Sequence, residues 1–181
     1  MKVLLNDSSV LLNLLAADCL PEIASTLSWQ LAICPAVCDE VKKLRDPATG
    51  EMVTVDLTPL IANGLLHVME LAGEEEEILY VEQSMVVDDG EAMSIALAAH
   101  RALELAIDDK QASNHVLRVF PEIKLWTTPE ILKKWAEEAG VVTYLIAETI
   151  HKIESRSRYS PPRSHPLFEW WHTVKSASSM G

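Results

Sequence analysis

The chain has 181 residues, the size of one compact domain that buries about 70% of its unfolded surface. Apolar residues make up 49% of it and charged residues 23%, which excludes disordered and fibrous classes. The formal net charge of -12 argues against a protein that wraps nucleic acid by neutralising many phosphates, because that mode needs a Lys/Arg surface.

The segment Lys2 to Asn6 (KVLLN) reads as a short buried strand that stops at Asp7-Ser8-Ser9. Val10, Leu11, Leu14 and Leu15 then follow at helical spacing, so Asp7 sits at the C-terminal end of a first strand. No apolar run reaches the roughly 18 residues of a membrane span, and Asp7 falls inside what would be the apolar segment of a signal peptide. We expect a cytoplasmic protein without a membrane role.

A second helical stretch, Pro21 to Trp29, leads into a strand at Leu31 to Cys34. Pro35 then opens a helix over AVCDEVKKLR, with Glu40 in its early turns. Asp46 to Pro59 reads as an irregular connecting loop or a short extended excursion, with turn residues at Pro47 and Gly50. Leu65 to Leu71 reads as a strand, and Gly73 with four glutamates, Glu74 to Glu77, as the solvated start of a helix reaching about Ser84.

Asp88-Asp89-Gly90-Glu91 precedes AMSIALAAHRALEL, whose alanines give a narrow helix face suited to close packing on a sheet. Leu103 to Ile107 is a strand stopped by Asp108-Asp109; a helix runs on through Val119, and Ile123 to Trp126 is a further strand. Alternating strands and helices imply an α/β fold with a parallel sheet. Past Thr128 the pattern is helical, over Pro129 to Ala139 and Val141 to Glu154. The tail from Ser155 is rich in Pro, Ser and Arg, and its Phe168, Trp170 and Trp171 are expected to be covered, by the domain in preference to a subunit interface.

Asp7 and Asp108-Asp109 follow strands, while Glu40 and Glu91 lie near helix starts. Ligands of an open α/β sheet collect at the carboxyl edge of its strands, so acids up to a hundred positions apart can meet there. Carboxylates gathered at one edge repel one another unless a cation sits between them, and hard divalent cations prefer oxygen ligands. Such a site supports phosphodiester hydrolysis and also lets phosphate approach an acidic protein. Each acid also has a structural alternative: Asp7, Asp108 and Asp109 as helix caps, Glu91 as a first-turn residue, Glu40 as a solvated one.

The segments VLLNDSSVLLNL, PAVCDEVKKL, DDGEAMSIALA and LAIDDKQA resemble those of the PIN-domain family, in the subgroup related to toxin nucleases. The similarity spans residues 2 to 127. It implies a three-layer fold with a central parallel sheet and a nuclease core over 1-127, to which the helical pattern past Thr128 adds a C-terminal extension over 128-181 packed on the core. It also implies a Mg²⁺- or Mn²⁺-dependent endoribonuclease whose metal ligands are Asp7, Glu40, Glu91 and one of Asp108 or Asp109, with Ser9 supporting by a hydroxyl hydrogen bond. The implied partners are single-stranded or structured RNA, an antitoxin protein and a second copy in a homodimer.

Two rivals stand beside this reading. A signalling receiver domain needs an acidic pair after its first strand, where this chain has one Asp and two serines. A catalytically degenerate PIN fold, acting as a protein-binding module, has no use for an intact set of carboxylates. The three cysteines, Cys19, Cys34 and Cys38, are odd in number and lack CxxC spacing, so they read as small buried hydrophobes. The six histidines show no HExxH spacing and are assigned no ligand role, and no phosphate-binding glycine loop is present.

Overall fold

A computed structural model describes residues 2-177. In chain order the elements are β1 (Lys2–Asn6), α1 (Ser8–Ala16), α2 (Leu20–Leu27), β2 (Trp29–Ile33), α3 (Pro35–Glu40), β3 (Lys43–Arg45), β4 (Met52–Thr54), α4 (Thr58–Ala62) and β5 (Leu66–Val68). They continue with α5 (Glu74–Ser84), α6 (Asp89–Arg101), β6 (Glu104–Ala106), α7 (Lys110–Val119), β7 (Leu125–Trp126), α8 (Thr128–Ala139), α9 (Thr143–Arg156) and α10 (Phe168–Ser176). No single helix among the described residues is long and apolar enough to cross a membrane.

Five strands form one parallel sheet in the order β5-β2-β1-β6-β7. Its central strands carry continuous apolar residues because helices cover the sheet: Leu4, Leu31, Ile33 and Leu105 are fully buried. The α6 helix lies on β1 and β6 with α5 against it, while α1 and α2 pack with α8 and α9. Its Ala92, Ser94, Ala96 and Ala98 are all buried, so the small residues bring α6 close to its neighbours. From β1 the chain winds to β2 and β5 on one side, then returns to β6 and β7 on the other. The crevice at the carboxyl ends of β1 and β6 is therefore the point where the winding reverses, the position at which sheets of this class bind ligands.

The helical spacing of AVCDEVKKLR is not realised along its whole length. Helix α3 ends at Glu40, because Val41 leaves helical geometry at ψ 83°, and Lys43–Arg45 becomes a strand paired antiparallel with Met52–Thr54. Within it Lys43 is exposed and Leu44 buried, an alternation that suits a strand. The hairpin closes where Asp46 accepts the Ala48 amide at 2.7 Å and Gly50 adopts φ 76°, a conformation glycine takes without strain. The extended alternative for Asp46 to Pro59 is the one realised, as β4, and Glu40 stands at the end of its helix instead of in an early turn.

The glutamate run also departs from its expected solvated character. Glu76 is buried and accepts both Arg101 Nε and Nη2 at 2.6 Å, the Ala72 amide at 2.6 Å and a His100 contact at 2.9 Å. These partners hold its carboxyl down to about 2, the bidentate Arg101 bond contributing most. A run of like charges hides one buried member because successive helical residues point in different directions.

In the tail, Trp171 is fully buried, donates to Glu154 Oε1 at 3.0 Å and meets Tyr159 edge-on at 5.8 Å. Lys175 pairs with the other Glu154 oxygen. These contacts lay α10 on α9, and Ile146, Ile150 and Ile153 of α9 join the same apolar core as the sheet.

Candidate active site

Asp7 follows β1 directly, and its amide donates to the Ala106 carbonyl of β6 at 3.0 Å, which fixes the carboxylate at the β1/β6 crevice. Its side chain caps α1: Oδ2 accepts the Ser9 hydroxyl at 2.6 Å and the Ser9 amide at 3.3 Å. Only 4% of Asp7 is exposed, and burial pushes its carboxyl up to about 6, against the Ser9 hydrogen bonds and with a further upward push from Asp88.

Glu91 sits in the first turn of α6, buried, with no protein donor on its carboxylate among the described residues. Burial pushes it up to about 7, helped by the charges of Asp88, Asp7 and Asp109. Asp88 caps α6 by accepting the Glu91 amide at 2.9 Å, and Asp109 caps α7 by accepting the Ala112 amide at 2.8 Å. Glu91 therefore feels the charges of Asp88, Asp7 and Asp109, and Asp7 that of Asp88. The capping alternative is realised at Asp7 and Asp109, and it is compatible with a site, since each cap occupies one carboxylate oxygen and leaves the other.

Asp108 is placed differently. Its Oδ1 accepts the Thr128 amide at 2.9 Å and the Tyr159 hydroxyl at 3.1 Å, and its Oδ2 accepts the Thr128 hydroxyl at 2.6 Å and Asn13 Nδ2 at 3.0 Å. Burial raises its pKa while those four bonds oppose the rise. Four donors fill the acceptor capacity of a carboxylate, so Asp108 ties β6 to α1, α8 and the segment after α9 and has no lone pair left for a cation. Asp109, by contrast, has a protein donor on one carboxylate oxygen alone among the described residues.

Glu40 is exposed and packs against the first turn of α6. A Cβ on Gly90 would stand 2.6 Å from its Oε1 and 2.9 Å from its Oε2, so the absence of a side chain at position 90 lets the Glu40 carboxylate rest against the first turn of α6. Sequence reasoning missed Asp88. Its signal was the Asp three residues before Glu91, the spacing of a capped helix start. Among the described residues no three His, Cys, Asp or Glu side chains form a group that could hold a metal ion as they stand. The donor set nevertheless fits a hard divalent cation: all the ligands on offer are carboxylate oxygens, two of them buried, and Mg²⁺ takes one or two protein carboxylates while keeping several waters.

A family model described as a PIN domain matches residues 3-164 of the chain. The chain belongs to the PIN-domain family. PIN domains are in general nucleases, hydrolases acting on nucleic acid, and typically use divalent metals. The match runs past α8 and α9, so in this PIN domain it includes Thr128 and Tyr159, the residues that hold Asp108. No curated protein and no solved structure matches the chain.

Proposed function

We propose that this PIN domain is a Mg²⁺- or Mn²⁺-dependent endoribonuclease whose metal is held by Asp7, Glu91 and Asp109. What supports the proposal is that Asp7 and Asp109 follow the neighbouring strands β1 and β6 and Glu91 lies in the first turn of α6, which packs on both, while burial and nearby acids push Asp7 to about 6 and Glu91 to about 7. Such a cluster is costly for a bare fold and favourable once a cation is shared. Functional sites collect perturbed groups of this kind.

When bound, the cation offsets the charge that develops on the phosphoryl oxygens and on the leaving oxygen during in-line attack by water. Ser9 fixes the Asp7 carboxylate through its hydroxyl, so that the free oxygen keeps one direction. Asp109 is locked by its cap on α7, and Glu91 by the first turn of α6. Glu40, exposed beside Gly90 at the first turn of α6, is the remaining acid of the set and would add an oxygen ligand at the rim. The acids within residues 1-127 carry the chemistry, and Thr128 and Tyr159 from the segment that follows brace it through Asp108.

Incubation of the protein with a fluorophore-quencher single-stranded RNA tests the activity. Cleavage is expected with Mn²⁺, none with chelator, and loss by Asp7→Asn with an unchanged circular dichroism spectrum. Wild-type rates from Asp7→Asn, or undiminished cleavage under chelation, rule the mechanism out. The physiological role we assign is a cytoplasmic, homodimeric toxin restrained by a small antitoxin over the acidic cleft, supported by the likeness of DDGEAMSIALA and LAIDDKQA to the toxin-nuclease subgroup. Growth arrest on induction, relieved by Asp7→Asn and by co-expression of a neighbouring small reading frame, is the expected result. Unimpaired growth with active enzyme in the cell discards the toxin role.

A further inference from the structure

A polar groove of about 630 Å³ opens beside Asp109, between the outer face of α7 and Val86. Its α7 wall carries Lys110, Gln111, Asn114, His115 and Arg118. Lys110 and Arg118 have no carboxylate partner within 4 Å among the described residues, whereas Arg101, Arg156, Lys152 and Lys175 are each taken up by one. In a chain of net charge -12, two free cations lining a groove next to a site acid call for an anion.

Arg118 is also held in place. Its Nη2 lies 3.2 Å from His115 Nδ1, and His115 Nε2 lies 2.7 Å from Gln83 Oε1. Arginine has no acceptor, so Nδ1 must accept, the ring proton sits on Nε2, and Nε2 donates to Gln83. Both His115 and Gln83 are buried, so the chain Gln83-His115-Arg118 is anchored in the protein and leaves the guanidinium presented to the groove. An arginine positioned without a carboxylate is suited to bidentate capture of a phosphate.

We propose that this groove is a subsite for the RNA backbone flanking the scissile bond, with Arg118 and Lys110 binding phosphates about three nucleotides apart. The proposal rests on the ribonuclease reading above. The eight helical steps from Lys110 to Arg118 rise about 12 Å, which spans on the order of three stacked nucleotides at about 3.4 Å each. One end of the groove is Asp109 itself, so a strand lying along α7 delivers its next phosphate to the acidic crevice. Gln111 and Asn114 offer amides to sugar or base edges along the way.

The test is steady-state cleavage of a fluorophore-quencher single-stranded RNA with Mn²⁺, and binding of the same RNA with Ca²⁺ in place of Mn²⁺, over a salt series. Arg118→Ala is expected to raise KM about tenfold with kcat changed less than about twofold, and to lower the slope of log affinity against log salt by about 0.7. Lys110→Ala acts in the same direction. Arg118→Lys keeps the salt slope while losing part of the affinity, which separates phosphate contact from a merely structural role. Lys133→Ala, removing an equal charge from α8, leaves KM and slope at wild-type values. If the wild type cleaves RNA but Arg118→Ala keeps its KM and salt slope, the subsite is wrong and the nuclease reading stands. If the wild type neither binds nor cleaves RNA, both fall.

Discussion

Asp108 and Asp109 are adjacent in the chain, yet their carboxylates do opposite work: Asp108 accepts four hydrogen bonds from Thr128, Tyr159 and Asn13, while Asp109 spends one oxygen on the Ala112 amide at the crevice. The two Asn substitutions are therefore expected to separate stability from activity. Asp108→Asn turns an amide toward donors and costs about 1–3 kcal/mol, a Tm loss of roughly 2–12 °C. Asp109→Asn keeps a good helix cap and stays within about 0.5 kcal/mol of wild type, but loses cleavage about 100-fold or more. Thermal melts beside the RNA assay check this, and the reverse pattern would make Asp108 the ligand.

Gly90 is expected to matter for Glu40 and hardly at all for stability. Gly90→Ala removes backbone freedom in a helix, a change worth up to about 1 kcal/mol in favour of folding, while its methyl displaces the flexible end of Glu40. The expected outcome is an unchanged or slightly higher Tm with cleavage reduced about tenfold. Full activity in Gly90→Ala shows that Glu40 takes no part at its present position.

The pH dependence of the metal-free protein follows from Asp7 and Glu91. Both bind protons more tightly folded than unfolded, so between pH 4 and 7 the native state holds the excess protons and stability falls as pH rises. Each pKa unit is worth about 1.4 kcal/mol, and because the two groups repel one another the joint effect is on the order of 3 kcal/mol. Glu91→Gln is expected to remove much of that slope, leaving the chelated protein more stable than wild type at pH 8 but inactive. Mn²⁺ should stabilise wild type more at pH 8 than at pH 5, since protons and metal compete for the same oxygens. Denaturant melts in chelator and in Mn²⁺ at the two pH values measure both; a pH-independent Mn²⁺ effect would place the metal elsewhere.

Glu76 responds with the opposite sign. Its depressed pKa, about 2, contributes stability that is present above about pH 4.5 and lost as pH falls toward 2. Glu76→Ala, which leaves Arg101 without its carboxylate, is expected to cost about 2–3 kcal/mol at pH 7 while the Mn²⁺-induced change in Tm stays at its wild-type size. If that Mn²⁺ response vanishes with Glu76, the metal lies near α5 instead of at the crevice.

Much of this was legible in the chain itself. Continuous apolar runs such as Leu31 to Ile33 marked buried strands, and their alternation with helices gave the parallel sheet. Asp7 and Asp109 were visible as acids ending strands because the strand edge is where the period changes. Local pattern did not show the early end of α3, since Leu44 satisfies a helix and a strand equally and the pairing with Met52–Thr54 decides between them. The division of labour within Asp108-Asp109 was hidden for a related reason: three of the four donors on Asp108 come from Thr128 and Tyr159, distant in sequence and close only after folding. The buried Glu76 was masked by three exposed glutamates around it.

The central claim, that Asp7, Glu91 and Asp109 share one divalent cation, is tested most directly by anomalous diffraction from crystals grown with Mn²⁺ at pH 8. The account predicts a single strong peak at the carboxyl ends of β1 and β6, about 2.0–2.3 Å from oxygens of at least two of these three residues, and absent in Asp7→Asn crystals. A Mn²⁺ peak bonded to Asp108, or a crevice without metal in crystals of protein that cleaves RNA in the same buffer, contradicts it.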